Sequence, residues 1–218
     1  RSSDADVALV IDRDPDMARF EAETKEAVGF FTTAWAEKGG VGVFPASTNP
    51  VPQNAKLSGV GENQTLAVDP RSLTPSGRLD VAIRQAAGSL IPGLSRRTVV
   101  YVTVGGVPPR AFAKNTLGET AAYLRNNGIA FSVVTVNGAP LAQELVYLMK
   151  ETGGKSYSVK DDLRPFLEDV PDRVVGTYAL TWKSVTPAEA GVREIPVTIE
   201  VQKFKQSART KSSFFAPR

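Results

Sequence analysis

Val7-Ala8-Leu9-Val10-Ile11-Asp12-Arg13-Asp14-Pro15-Asp16 is the stretch on which the fold turns. Five consecutive apolar residues are too few for an ordinary helix and lack the alternation of a half-wet strand. Such a run, followed at once by a helical pattern, reads as a central strand buried on both faces. The pattern that follows, Asp16 to Glu37, places Met17, Phe20, Val28, Phe31 and Trp35 near helical spacing. Asp16 is the expected N-cap, the acids at 21, 23 and 26 suit the early turns, and Gly39-Gly40 ends the helix. The Phe30, Phe31 and Trp35 cluster reads as core.

Outward from this unit the same grammar repeats. Val41 to Phe44 reads as a second strand. Residues 45–76 are rich in Pro, Asn, Ser and Gly, and read as a long loop with a short hairpin strand. A helix from Leu79 to Leu90 leads to a strand at Thr98 to Val104. A helix from Lys114 to Asn126 leads to a strand at Ile129 to Val136. A helix from Leu141 to Glu151 leads to a short strand at Ser156 to Val159, and Asp161 to Val170 is a last helix. This alternation predicts an α/β fold: a doubly wound, mostly parallel, Rossmann-like sheet with helices on both faces. Thr177 to Trp182 and Glu194 to Val201 then alternate, which predicts an antiparallel β-hairpin extension. The expected division is a first domain over 1–175 and a β extension over 176–218, packed on or beside it, with Phe214-Phe215 anchoring its tail.

Composition narrows the chemistry. The chain of 218 residues has no Cys and no His, so it holds no disulfide, no thiolate or imidazole metal ligand and no histidine-based triad. Any metal must be held by oxygen. Residues 1–30 carry eight acids against four bases, whereas the last 18 residues carry five bases and no acid. That basic end reads as a solvated tail or as an electrostatic contact; without an aromatic-basic motif, nucleic acid is not expected as a partner. No apolar run reaches the roughly 18–20 residues of a membrane span. The first residue is Arg, so we expect a processed chain, periplasmic, secreted or at the cell surface, with any signal or anchor upstream. Gly153-Gly154 follows a helix and reads as its C-cap, and Gly105-Gly106 lacks the rest of a phosphate loop.

Asp12, Asp14 and Asp16, at i, i+2 and i+4 beyond a strand, are three anions that repel one another when close. A divalent cation offsets that repulsion, Ca2+ first and Mg2+ second. The spacing of Asp12, Asp14, Asp16 and Glu23 also matches an EF-hand, but Met17 stands where the turn needs Gly and a strand precedes the loop. Two other readings stay open. In one, arginines such as Arg13 and Arg78 neutralise a metal-free loop; in the other, the acids merely cap and solvate.

Several segments together resemble the von Willebrand factor type A (vWA) family, in its bacterial cell-envelope form. The strand ending in Asp12-Arg13-Asp14-Pro15-Asp16 is similar to the family's Asp-x-Ser-x-Ser loop. Asn127 to Val136 resembles the family's fifth strand, and Leu148 to Tyr157 its Gly-Gly signature. Thr177 to Trp182, Arg193 to Val197 and Ala208 to Pro217 resemble its C-terminal extension. The resemblance implies a metal-ion-dependent adhesion site at the C-terminal edge of the sheet, in degenerate form. Asp12 matches the first Asp, and Asp14 and Asp16 stand at the two Ser positions. Gly77 aligns with the metal-binding Thr, with Thr74 and Ser76 near enough to substitute. Thr103-Val104-Gly105 matches the Thr-Asp-Gly loop, with Val104 in place of the carboxylate. Arg13, Arg78 and Thr103 then belong to the ligand face or act as charge partners.

The function implied is a protein-binding, adhesin-like module that meets its ligand, in a host-associated bacterium an extracellular matrix or plasma protein, through a divalent-cation-dependent face. The alternatives are a hydrolase acting on extracellular proteins without His or Cys, and a metal-free structural assembly module. No Ser-x-x-Lys or Gly-x-Ser-x-Gly motif supports catalysis. A binding role therefore ranks ahead of an enzymatic one.

Overall fold

The computed structural model describes residues 5–33, 39–46, 78–91, 96–167, 194–203 and 206–215. Strand β1 (Ala5–Ile11) is followed by a 3-10 turn (Pro15–Phe20) and helix α1 (Glu21–Thr33). Strand β2 (Val41–Pro45) and helix α2 (Leu79–Leu90) precede β3 (Arg96–Thr103) and α3 (Leu117–Asn126). Strand β4 (Ile129–Thr135), helix α4 (Gln143–Thr152) and the short β5 (Ser156–Ser158) complete the α/β part.

The five strands form one all-parallel sheet in the order β2-β1-β3-β4-β5. Its central strands are mostly apolar because both faces are covered, with Thr98, Thr103, Ser132 and Thr135 as buried polar exceptions. Ala8, Val10, Val99, Tyr101, Phe131 and Val133 pack with α2, α3 and α4, centred on Ile83, Ala87, Leu124 and Leu148. Val7, Leu9, Ile11, Val100, Val102 and Val134 pack on the opposite face with Val28 and Phe31 of α1 and with Phe166. The expected α/β, doubly wound architecture is therefore the observed one. Among the described residues no helix is long and apolar enough to cross a membrane.

Phe31 anchors an edge-to-face aromatic chain, with Phe30 at 5.2 Å and Phe166 at 4.8 Å between ring centroids. Tyr157 meets Phe166 at 5.1 Å. The aromatic cluster of α1 is thus core, as expected for Phe30 and Phe31; Trp35 lies outside the described residues.

Two helix starts differ from the pattern reading. Asp14, not Asp16, caps the first element: its carboxylate accepts from Asp16 N–H, and Pro15 opens a 3-10 turn rather than an α-helix. Pro fits there because it has no N–H to leave unsatisfied and its φ is preset. Helix α3 begins at Leu117 rather than Lys114, because Thr116 and Glu119 form a reciprocal capping box. Thr116 Oγ1 accepts from Glu119 N–H at 3.2 Å, and Glu119 Oε2 accepts from Thr116 N–H at 2.8 Å. The bond from Thr116 N–H, together with one from the Thr116 hydroxyl to Glu119 Oε2 at 2.9 Å, holds the Glu119 carboxyl below its ordinary value. Thr116→Ala is expected to lower stability by about 1 kcal/mol, measured by urea unfolding.

Strand β6 (Glu194–Lys203) pairs antiparallel with β7 (Gln206–Phe215), from Glu194↔Phe215 to Lys203↔Gln206. The expected antiparallel β extension is therefore present, and the basic C-terminal segment is one of its strands rather than a solvated tail. Thr177 to Trp182 and residues 47–77 lie outside the described residues. The chain divides into two compact units, Arg1–Thr177 and Tyr178–Arg218.

Candidate functional site

Chain order and sheet order together locate the site. From β1 the chain moves to β2 on one side and then to β3 on the other, so the connections part between β1 and β3. In open α/β sheets the crevice at the C-terminal ends of such strands is where ligands bind. The two residues at that point here are Asp12 and Thr103.

Asp12 continues the sheet for one residue beyond β1, its N–H donating to Val102 O at 2.9 Å. Its side chain is only 2% exposed. Thr103 Oγ1 donates to Asp12 Oδ2 at 2.6 Å, and Asp14 N–H donates to Asp12 Oδ1 at 3.1 Å. Gly105 N–H in turn donates to Thr103 Oγ1 at 3.0 Å, which fixes the direction of the threonine proton. No basic side chain pairs with Asp12 among the described residues. Burial pushes its carboxyl above the ordinary value, against the opposing pull of the bonds from Thr103 and from Asp14 N–H. The Tyr101 hydroxyl stands beside this pair, wholly buried, and makes no hydrogen bond among the described residues. Burial and the neighbouring Asp12 charge push its pKa well above the usual tyrosine value.

A raised native pKa fixes the sign of the pH dependence. Folded Asp12 holds its proton more tightly than unfolded Asp12 does. Its contribution is complete below the unfolded value of 3.8 and is lost as pH rises through the raised native value. Asp12→Asn is expected to remove that slope, leaving the metal-free variant at least as stable as wild type at neutral pH. Denaturant midpoints from about pH 3 to pH 7 check this.

The other expected residues are placed differently. Asp14 is half-buried and its Oδ1 accepts from Asp16 N–H at 2.8 Å. Asp16 is exposed and lies 3.5 Å from Arg19 Nη1. So the three aspartates do not converge: one points to Thr103, one to its own turn and one to solvent. Among the described residues no group of three acids is placed to hold a metal. Arg13 is partly buried at the start of the loop. Arg78 is turned to a different acid, its Nε lying 3.4 Å from Asp80 Oδ1. Thr74 and Ser76 lie outside the described residues.

Asp80 is the residue that pattern reading passed over. An acid in the first turn of a helix reads as a partner for the helix dipole. Here it is fully buried and holds the β3–α3 loop. Its Oδ2 accepts from Lys114 N–H at 2.9 Å, Asn115 N–H at 2.6 Å and Asn115 Nδ2 at 3.4 Å. Its Oδ1 accepts from Val81 N–H at 2.8 Å, and its own N–H donates to Ala111 O at 2.9 Å. The same loop is tied on its other side. Gly105 O accepts from Ala142 N–H at 2.9 Å, and Gly105 has φ 103°, with Pro140 O 2.8 Å from where a Cβ would stand. Only glycine suits that conformation in that space.

The residues that could serve a cation are thus Asp12 and Thr103, with the Asp14 Oδ2 nearby in sequence. A buried carboxylate without a counter-charge fits the need for positive charge, and its oxygen donors suit Ca2+ or Mg2+.

No family model matches the sequence, and no characterised protein matches it by sequence. Solved structures do match by shape. The SpRpn10 VWA domain covers 81% of this chain and 99% of its own, with TM-score 0.52 and 13% identity. The PilB minor pilin from Streptococcus sanguinis covers 80% of this chain at TM-score 0.53 and 14% identity, and this chain spans 62% of it. The von Willebrand factor type A protein from Catenulispora acidiphila covers 78% of this chain at TM-score 0.56 and 15% identity, and this chain spans 42% of it. The parallel order of the sheet, the acid-bearing loop after β1 and these likenesses agree, and the chain has the von Willebrand factor type A fold.

Proposed function

We propose that the chain is a protein-binding module of the bacterial envelope or exterior, adhesin-like, which presents the C-terminal edge of its sheet to a protein ligand. The observation that carries this reading is Asp12, buried with no counter-charge among the described residues at the point where the strand order turns. The minor pilin among the structural neighbours supports the envelope setting, where extracellular matrix or plasma proteins are the ligand class. In this reading Asp12 and Thr103 hold a divalent cation with Asp14, and with Thr74, Ser76 or Asp16 if their loops bring them in. A bound cation supplies the positive charge that Asp12 lacks and a coordination position for a ligand carboxylate. The chain's own residues orient that position: Thr103 fixes one oxygen of Asp12, and the Asp80 and Gly105 ties hold the flanking loop.

Calorimetric titration with Ca2+ and Mg2+ tests this on wild type, Asp12→Asn and Asp14→Ala/Asp16→Ala. Wild type is expected to give heat and a higher Tm at millimolar ion, since ligand at 100 times its Kd stabilises by about 2.7 kcal/mol. Asp12→Asn is expected to give neither. No heat and no shift in wild type would remove the cation from the proposal.

One observation favours a second reading, a metal-free face. Both Asp12 oxygens already accept hydrogen bonds, from Thr103 Oγ1 and Asp14 N–H, so the carboxyl group can tie β1 to β3 without a cation. Ligand capture would then survive chelation by EDTA.

A further inference from the structure

A second feature lies along the same sheet edge, beyond β4 and β5. It is an open cleft of about 390 Å3, large enough for one long side chain. Thr135, Ser156, Ser158, Asp161 and Asp162 are its polar lining residues, the Thr135 hydroxyl already donating to Tyr157 O at 3.3 Å. Leu141, Tyr157 and Pro165 supply an apolar wall. Among the described residues no lysine or arginine lines it, although Lys160 Cδ lies 3.9 Å from where a Cβ on Gly138 would stand.

Its two acids are not equivalent. Asp162 is closed on its own turn: Oδ1 accepts from Arg164 N–H at 2.8 Å, and Oδ2 from Arg164 Nε at 2.7 Å. This holds its carboxyl below the ordinary value. Its φ of 121° is outside the usual range for a side-chain-bearing residue. Asp161 is exposed, and its carboxylate has no hydrogen bond or ion pair among the described residues. The Ser158 Oγ accepts from Lys160 N–H at 3.2 Å, which leaves its own proton to give. Lys160, exposed nearby, forms no ion pair with either aspartate among the described residues.

We infer that this cleft takes a basic side chain, arginine foremost, presented by the protein that the loop face binds. Its source rests on the protein-binding reading above; the cleft's preference for a cation does not. An unpaired carboxylate between hydroxyl groups and an apolar wall matches both parts of an arginine. The planar guanidinium places two parallel N–H groups on one carboxylate, and its three-carbon stem packs on Leu141 and Pro165. A neutral partner adds no ion pair to the hydrated Asp161 carboxylate, so the discrimination is the modest one of an exposed pair.

N-acetyl-arginine amide and its neutral isostere N-acetyl-citrulline amide, titrated into the isotope-labelled full chain and followed by amide NMR shifts, test this. The arginine probe is expected to move the amides of Ser156 to Ser158 and Asp161 in a saturable way. The citrulline probe, and the arginine probe on Asp161→Asn, are expected to bind about three- to five-fold more weakly, the worth of an exposed ion pair. Asp161 is at the surface, so the variant keeps the fold, and an unchanged spectrum elsewhere verifies it. Equal binding of citrulline, an unchanged affinity in Asp161→Asn, or shifts confined to other residues would overturn the inference. So would saturation of the same amides by glucose independently of Asp161, which would make the cleft a polyol site. None of these outcomes bears on the Asp12 titration, so failure here leaves the protein-binding reading standing.

Discussion

Gly154→Ala is expected to lower stability by about 4 kcal/mol, at the top of the range for a single substitution. A Cβ at this position would land on the Phe131 carbonyl, with Ser132 N 3.1 Å away. These are backbone atoms of β4, a strand buried on both faces, and they cannot swing aside as a side chain can. Relief requires α4 and β5 to move off the sheet, which exposes Leu145, Leu148 and Phe131. The neighbouring glycine is the control. Gly153 ends α4 with φ 77°, but a Cβ there meets nothing. Gly153→Ala is therefore expected to cost only the left-handed backbone penalty, about 1–2 kcal/mol. Urea unfolding of the two variants separates a steric block from a conformational preference. Equal losses would show that the close approach of Gly154 to β4 has no weight.

The second large effect is expected at Asp80. Asp80→Ala leaves the Lys114 and Asn115 N–H groups without their acceptor beside a buried cavity, and Val81 N–H with only Arg78 O at 3.2 Å. Each orphaned donor costs about 1–3 kcal/mol, less whatever water recovers, so we expect a net loss of about 3 kcal/mol. In a unit of this size that is a fall in Tm of about 6–12 °C. Asp80→Asn keeps one acceptor oxygen and is expected to lose about half as much. Hydrogen exchange is expected to accelerate at Lys114 and Asn115 in both variants. Unchanged exchange there would mean that the loop is held by something other than this carboxylate.

The sheet was legible in the sequence because burial on both faces writes an uninterrupted apolar run. Val7 to Ile11, Thr98 to Val104 and Ile129 to Val136 each read as strands, and strands run over Ala5–Ile11, Arg96–Thr103 and Ile129–Thr135. Strand β7 was not legible, because Gln206 to Lys211 carry no apolar alternation; its strand character lies in pairing with β6, a non-local fact. The candidate site was legible in part. The structure brings Asp12 and Thr103 into hydrogen-bond contact at the sheet edge. The destinations of Asp14 and Asp16 were not, because capping by a side chain is decided by local geometry that spacing does not encode. Asp80 was missed for a related reason. A surface acid serving the helix dipole and a buried acid fastening a loop share one sequence signal, and only burial tells them apart.

The ties at Asp12, Asp80 and Gly105 join the ends of β1 and β3, the start of α2 and the loop before α4 into a single framed rim. A rim so braced gives up little conformational entropy when something settles on it. Encounter should then be limited by orientation and charge rather than by loop folding, and differences among ligands should appear mainly in how slowly they leave.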